Sequence, residues 1–445
     1  MPRVEPFEAV QFHGGRGDMS SVVAPPYDVL DADDKAALVA RDEHNVVSID
    51  LPHVPPKELG PPKAYAHAAK LLDTWLADGT LSQRSQPAMF AYRQTFDFMG
   101  SRHHRCGMFA AVETAELGPR PGGGILPHEE TFSGPKEDRL ALMRATRHQL
   151  SPIFGLHADQ SGEGTRVVRG VMEARQPDAT ARTADGVLHE LWTVEDAGVI
   201  KAYQRALEGE DIFIADGHHR YNTAVNYLKE LSESGEVPSD HSARRCMMVI
   251  VGMSDPGMVI GPTHRVLGGM AGYSWDAFAR AAADHMKIEE LGGDPHAIEP
   301  ALEGRGTAIG LLDFATGRTF IATPKNVDPL ADSFGDKSKA WRTLDVTFVQ
   351  EVLVERVCKP ALNNGQPVKW AFPHTIDEVL EIGSGAETGA GGGSGFAQIA
   401  AILRPTPLDA VRDICLAGEL MPQKSTFFYP KVYTGLVLRS LEPQA

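Results

Sequence analysis

The pattern of hydrophobic and polar positions predicts short strands alternating with helices. Strands are predicted for the apolar runs at 151–157, 190–194, 212–215 and 247–251. Apolar residues at helical spacing predict helices at 166–173 and 196–207. A β-hairpin is predicted from 88–98 and 103–113. This alternation favours an α/β or α+β fold with a mixed sheet core.

After about residue 272 the pattern indicates a second lobe. The prediction is an N-terminal α/β domain at 1–271 and a C-terminal α/β lobe at 272–445, packed on the first. A helix is predicted at 345–358, where apolar residues are spaced for burial. The Gly-rich stretch 383–395 predicts a flexible loop within the second lobe.

One stretch of the first domain has the pattern of a strand, a turn and a helix. The apolar run 212–215 is followed by Asp216 and Gly217, which supply turn chemistry. Four later residues recur at helical spacing: Tyr221, Val225, Leu228 and Leu231. A helix is therefore expected to begin near Gly217.

The first turn of this helix would carry His218, His219 and Arg220. Free backbone N–H groups and the positive end of the helix dipole suit an anion such as phosphate. Arg220 adds a permanently charged, planar fork of donors. The functional interpretation is a phosphate cradle at Asp216–Tyr221, and the alternative is an ordinary strand–Gly–helix junction with polar cap residues.

Four segments of the chain resemble the uncharacterised domain of unknown function family 1015. In the order of the family they are APPYDV at 24–29, HEETF at 128–132, ADGHHRY at 215–221 and MPQKST at 421–426. Because they are spread over nearly the whole chain, the resemblance extends to most of it. It implies a family and supplies no function.

The Asp-Gly-His-His-Arg core at 216–220 further resembles the phosphate-binding box of the ParB/sulfiredoxin superfamily. This superfamily includes CTP-binding partition proteins, sulfiredoxins and free serine kinases. The resemblance implies that Asp216, Gly217, His218, His219 and Arg220 hold nucleotide phosphates. Sulfiredoxins have a reactive Cys at the place of His218, so the sequence argues against reduction of a sulfinic acid.

Phosphoryl transfer also needs a base and often a divalent ion. Carboxylates can serve as a general base or as a Mg²⁺ ligand, and the candidates are Asp28, Glu129 and Glu130, with His218 as a further catalytic candidate. A second polar group, Lys424, Ser425 and Thr426, is predicted to contact the nucleotide; its alternative is a solvated turn. The implied cofactor is ATP or ADP with Mg²⁺.

The resulting hypothesis is a nucleotide-dependent phosphotransferase that acts on a small hydroxylated metabolite, similar to free serine kinases. One alternative is a non-catalytic nucleotide-binding switch. Another is a metal-dependent hydrolase that uses donors from His128, Glu129, His218, His219 and His264. The hydrolase has no supporting ligand spacing in the sequence, and no metal site is predicted.

Composition limits the partners and the location. The formal net charge of −16 and the pI of about 5.5 oppose non-specific binding to nucleic acid or to an anionic membrane. The four cysteines lie far apart, as expected for free thiols in a reducing compartment. Without a signal peptide or a long apolar run, the expectation is a soluble cytoplasmic protein. The oligomeric state stays open.

Overall fold

The computed structural model describes residues 2–56, 58–129, 134–386 and 391–442. The chain forms two compact units. The first unit comprises Met1–Pro127, Thr131–Met258 and Pro430–Ala445, and the second comprises His128–Glu130 and Val259–Tyr429. The predicted division after residue 271 stays a prediction. Within the described residues, no helix has the length and apolar character needed to cross a membrane.

The first unit is built on a ten-stranded sheet. Its strands, in order across the sheet, are Gly17–Asp18, Ala179–Arg182, Leu188–Val194, Met89–Phe98, Ser101–Glu113, Arg245–Gly252, Ile153–His157, Ile212–Asp216 and Ile125–Leu126, with Val4–Glu5 paired to Ser101–Glu113. The predicted hairpin is confirmed as an antiparallel pair. Strand Arg245–Gly252 is antiparallel to one neighbour and parallel to the other. The predicted mixed α/β fold is therefore confirmed.

Three helices pack against one face of this sheet: Glu163–Ala174, Ala197–Ala206 and His218–Ser234. Alternate strand residues such as Met108, Ala110 and Ile250 form a common core with Tyr203 and Tyr221 from the helices. This packing fixes the start of helix His218–Ser234 against the end of strand Ile212–Asp216.

A four-stranded sheet completes the first unit. Its strands are, in order, Leu81–Gln83, Ala9–Phe12, Leu438–Ser440 and His148–Gln149. The other helices of this unit are Ala32–Arg41, Val47–Asp50, Pro62–Ala77 and Gly134–Thr146, with 3-10 turns at His13–Gly15, Tyr27–Val29 and Ser242–Arg244. The C-terminal strand thus belongs to a sheet of the first unit.

The second unit contains a six-stranded antiparallel sheet in the order Met286–Gly292, Thr319–Pro324, Ile309–Asp313, Ala397–Ile402, Arg265–Gly268 and Lys369–Ala371. Strands Val259–Gly261 and Phe427–Tyr429 form a separate pair. Helices occur at Trp275–Ala282, Pro295–Ala297, Ile298–Leu302, Lys339–Arg342, Ile376–Gly383 and Leu408–Leu416.

The helix predicted at 345–358 differs from an ordinary α-helix. After the short turn Asp345–Thr347 the chain continues as a π-helix, Phe348–Leu362. Apolar spacing alone does not distinguish the two helix types, because both bury one face. Part of the loop predicted at 383–395, residues 387–390, lies outside the described residues.

Candidate functional site

The strand, turn and helix predicted around Gly217 are present. Strand Ile212–Asp216 ends with a register shift between Ile214 and Asp216, an irregularity that can re-aim a side chain. Gly217 follows with φ of 89°, a left-handed conformation that favours glycine, and helix His218–Ser234 begins at the next residue. A Cβ at Gly217 would stand 3.0 Å from Nε of Arg220. Glycine is therefore needed for both the backbone turn and the space.

The Asp216 carboxylate bridges two cationic side chains. Nη2 of Arg220 donates to Oδ2 at 2.7 Å, and Nζ of Lys431 donates to Oδ1 at 3.0 Å. The Arg220 side chain is only 9% exposed, and its Nη1 also donates to the carbonyl of Pro152. Two of the Arg220 guanidinium nitrogens that were predicted to bind phosphate thus donate to protein groups within the first unit.

The charges of this group stabilise one another. Burial alone would raise the pKa of Asp216, but Lys431, Arg220 and then His218 hold it far below its ordinary value. Burial opposes the charge of Arg220, whereas Asp216, followed by Asp28, raises the pKa of its guanidinium. Among the side chains in direct contact here, two cations therefore share one carboxylate.

Asp28 belongs to the same unit, in the 3-10 turn Tyr27–Val29. Its charge acts on Arg220, yet within the described residues its carboxylate has neither a hydrogen bond nor an ion pair. The preceding Tyr27 is buried beneath the guanidinium of Arg139, whose Cζ lies 3.9 Å from the ring centroid. The packing of Tyr27 therefore fixes the position of the backbone at Asp28.

His218 and His219 lie in the first helical turn and are half-buried. Their carbonyls accept hydrogen bonds from side chains one turn later, Asn222 and Thr223, at 2.9 and 2.8 Å. Gly217 has no side chain with which to cap the N–H groups of this turn. The first turn is thus anchored on its carbonyl side.

The second predicted polar group forms within the second unit. Glu129 accepts hydrogen bonds from the backbone N–H groups of Ser425 at 3.0 Å and Lys424 at 3.3 Å. Lys424 has a left-handed φ of 60°, which turns consecutive N–H groups towards one carboxylate. Glu129 thus organises this turn, while the Lys424 side chain is exposed.

Neighbouring residues reinforce the turn. Nε2 of His128 lies 2.8 Å from Oγ1 of Thr426. Nη2 of the buried Arg265 donates to the Lys424 carbonyl at 2.9 Å. Burial lowers the pKa of Arg265 to about 10, while the charge of Glu129 acts in the opposite direction. Glu130, also a predicted catalytic residue, lies outside the described residues.

The metal alternative has no arranged ligand set in the described part of the chain, where no three His, Cys, Asp or Glu side chains are grouped to hold an ion. His264 is fully buried and its Nδ1 accepts from the N–H of Leu403 at 3.1 Å. Burial lowers the pKa of His264 to about 3, so the ring is neutral at pH 7.

One contact of the candidate site is missing from the sequence prediction. The predicted site residues do not include Lys431, whereas the structure pairs it with Asp216. The available signal was a lone lysine between the apolar segments FFYP and VYTGLVL. A cation in such a segment needs a counter-charge when it is partly buried.

Several solved structures share a distant likeness with the chain. A free serine kinase variant in complex with ADP has a TM-score of 0.34 and 13% identity, over 70% of this chain and 89% of that chain. A conserved hypothetical protein from Pyrococcus furiosus has a TM-score of 0.32 and 14% identity, over 70% and 92%. SbnI with a C-terminal truncation, from Staphylococcus aureus, has a TM-score of 0.34 and 8% identity, over 73% and 85%. Likeness at this level supports no inference about activity.

The sequence matches no curated protein. It does match the model of the family described as Protein of unknown function (DUF1015) over residues 4–347. Three of the four segments that carried the predicted resemblance fall within this match, and the segment at 421–426 lies beyond it. Since the match covers well over half of the sequence, the chain belongs to the DUF1015 family.

Proposed function

We propose that this protein is a nucleotide-dependent phosphotransferase that acts on a small hydroxylated metabolite. The observation that carries the proposal is the Asp216 carboxylate, bridged to Arg220 and Lys431 at the N-terminus of helix His218–Ser234. It supports the proposal because phosphoryl transfer depends on positioned positive charge around the phosphates. The resemblance of 216–220 to the box of the free serine kinases supports a nucleotide as the ligand.

In the proposed site, the backbone N–H groups of His218 and His219 donate hydrogen bonds to phosphate oxygens. The helix dipole and the cap-free Gly217 favour an anion there. Lys431 supplies a cationic side-chain contact, and the His218 ring supplies a further hydrogen-bonding group. Arg220 is a positioning residue in this proposal, because its bonds to Asp216 and to the Pro152 carbonyl hold the carboxylate that in turn holds Lys431.

Asp28 is the proposed general base. Its carboxylate acts on the charge of Arg220 and is not engaged by another described side chain. In the reaction, the acceptor hydroxyl loses its proton to Asp28 while its oxygen forms a bond to the terminal phosphorus. The bond between that phosphorus and the bridging oxygen breaks, and a nucleotide shorter by one phosphate leaves.

The proposed nucleotide is ATP or ADP with Mg²⁺. Mg²⁺ in such sites is held largely by substrate phosphates and waters, and Asp28 is kept in this proposal for the role of base. When bound, the ion would neutralise phosphate charge. Glu130 stays a predicted catalytic residue. Within the second unit Glu129 organises the turn at 424–426, and nucleotide contact by Lys424, Ser425 and Thr426 stays a prediction.

The test is calorimetric titration of ATP, ADP, CTP and inorganic phosphate with Mg²⁺ into wild type and two matched variants. Lys431→Met removes the cation at Asp216, and Lys229→Met removes an exposed cation near the far end of the same helix. We expect Lys431→Met to weaken nucleotide binding by about 1.5–3 kcal/mol, the range for hydrogen bonds to charged groups, and Lys229→Met to leave it unchanged. Equal affinity in all three proteins would contradict the cradle.

A second experiment separates catalysis from binding alone. Hydroxylated metabolites, serine first, are incubated with the bound nucleotide, and phosphorylated product is measured by mass spectrometry. Asp28→Asn should retain nucleotide binding and lose turnover by at least about 100-fold, the lower end of the usual effect of a general base.

The alternative function is a non-catalytic nucleotide-binding switch. One observation supports it: Glu129, a predicted base, instead accepts hydrogen bonds from two backbone N–H groups, which leaves fewer carboxylates for catalysis. Two results together would favour this alternative. Nucleotide binding would depend on Lys431, and neither wild type nor Asp28→Asn would phosphorylate any acceptor.

A further inference from the structure

A cleft of about 490 Å³ lies entirely within the second unit. Its lining includes residues of the π-helix Phe348–Leu362, here called the helix wall, and the rings of Trp370 and Phe372, here called the aromatic wall. The residues from Leu420 to Gln423 also line it. No residue of this cleft belongs to the proposed phosphate cradle.

The helix wall presents two carboxylates that differ in their partners. Glu355 is satisfied, because Nζ of Lys359 donates to both of its oxygens at 2.8 Å and Nε2 of Gln350 approaches at 3.3 Å. The last contact joins residues five apart, the spacing that a π-helix brings together. π-Helical segments occur frequently at functional sites.

Glu351 is the other carboxylate of this wall. Within the described residues it has no hydrogen bond and no ion pair, and it is half-buried. Burial, and after it the charge of Glu355, raises the pKa of Glu351, and the charges of Arg356 and Lys359 only partly offset this. A carboxylate in a partly dehydrated wall is unfavourable unless a positive group compensates it.

Arg265, the other cation that lines the cleft, has partners outside the helix wall. Arg265 donates to the carbonyls of Thr263 and Lys424 at 2.7 and 2.9 Å, and the charge of Glu129 acts on it. Its Cζ lies 4.9 Å from the ring centroid of Phe372. Of the four charged side chains that line the cleft, Glu351 is therefore the one without a hydrogen bond or an ion pair among the described residues.

The aromatic wall suits a cation with a hydrocarbon part. The rings of Trp370 and Phe372 are nearly parallel, with centroids 5.9 Å apart and an interplanar angle of 6°. The face of a tryptophan is the best aromatic partner for an organic cation, and such rings together with acidic groups recognise ammonium ligands.

We propose that this cleft binds a small organic ammonium ion, with its charged nitrogen at Glu351 and its methyl or methylene groups against Trp370. The volume suits a metabolite of modest size. The inference goes beyond the proposed phosphotransferase, and it stands or falls independently of nucleotide binding because the cleft shares no residue with the cradle.

The test compares ligands that differ only in charge. Choline is titrated against its neutral isostere 3,3-dimethylbutan-1-ol, and n-butylamine against n-butanol, with binding followed by ligand-detected NMR on the wild-type chain. We expect at least one ammonium ion to bind about tenfold or more tightly than its neutral twin, the effect of a charge-assisted contact. Equal affinity within both pairs, or no saturable binding of either ammonium ion, would overturn the proposal.

Two variants locate the binding. Glu351→Gln should reduce the affinity of the ammonium ion to that of its neutral twin, and Trp370→Leu should weaken it several-fold. Glu381→Gln removes an exposed carboxylate from another helix of the same unit and should change nothing. Unchanged ammonium binding in Glu351→Gln would also overturn the proposal. If a variant fails to fold, the comparison of each ammonium ion with its neutral isostere on the wild-type protein still decides the question.

Discussion

Replacement of Asp216 by asparagine tests the electrostatic arrangement beneath the candidate cradle. The substitution removes the negative charge that Arg220 and Lys431 contact at 2.7 and 3.0 Å, and it leaves two partly buried cations side by side. Breaking a buried ion pair typically costs 3–5 kcal/mol. Because the Asp216 side chain is 20% exposed, we expect a loss near the lower end, about 3 kcal/mol of unfolding free energy.

The dependence of this loss on pH has a definite sign. The folded protein holds the pKa of Asp216 far below its ordinary value of about 3.9. Ionised Asp216 therefore contributes stability that is fully present above about pH 5 and is lost as the pH falls through 4 towards the folded-state pKa. The difference between wild type and Asp216→Asn should be constant from about pH 8 to about pH 5 and shrink below about pH 4.

The assay is hydrogen exchange of peptides from strand Ile212–Asp216 at increasing urea, which reports the opening of the first unit without assuming that both units unfold together. The matched control is Asp240→Asn, since Asp240 is exposed in the same unit. A difference below about 1 kcal/mol, the range of a surface ion pair, or one that grows as the pH falls, would refute the reasoning.

Three further substitutions test the surrounding geometry. Gly217→Ala should cost at least about 1–2 kcal/mol in denaturant unfolding, because φ is 89° and the new Cβ would meet Arg220; a smaller cost would contradict the left-handed turn. Tyr221→Phe should cost about 1–2 kcal/mol in the same assay, because its buried hydroxyl bonds both backbone groups of one loop residue; no loss would argue against these bonds. Glu129→Gln should increase the rate of amide exchange at 424–426, and unchanged protection would exclude Glu129 as the organiser of that turn.

Local elements of the fold follow from the sequence because their patterns are local. The strand at 212–216 and the helix after Gly217 are confirmed, since an apolar run, turn residues and helical spacing each depend on neighbouring residues. The hairpin around residue 100 is confirmed for the same reason. The π-helix was not predicted, because apolar spacing at 345–358 indicates a buried helical face and does not report which backbone hydrogen bonds form.

Contacts between distant residues could not be obtained in this way. Lys431 meets Asp216 across more than two hundred residues, and no spacing in the sequence indicates that pairing. The hydrogen bond from Arg220 to the Pro152 carbonyl also has no signal in the sequence, so the sequence prediction assigned the Arg220 donors to a ligand. Likewise, Glu129 was predicted as a base from its loop position, whereas its hydrogen bonds come from a turn almost three hundred residues later.

A crystal structure of the protein with ADP and Mg²⁺ would show whether the N-terminus of helix His218–Ser234 holds nucleotide phosphate. We expect phosphate oxygens at hydrogen-bond distance, about 2.7–3.2 Å, from the backbone nitrogens of His218 and His219, with Lys431 in contact. ADP bound with its phosphates at any other place would contradict it.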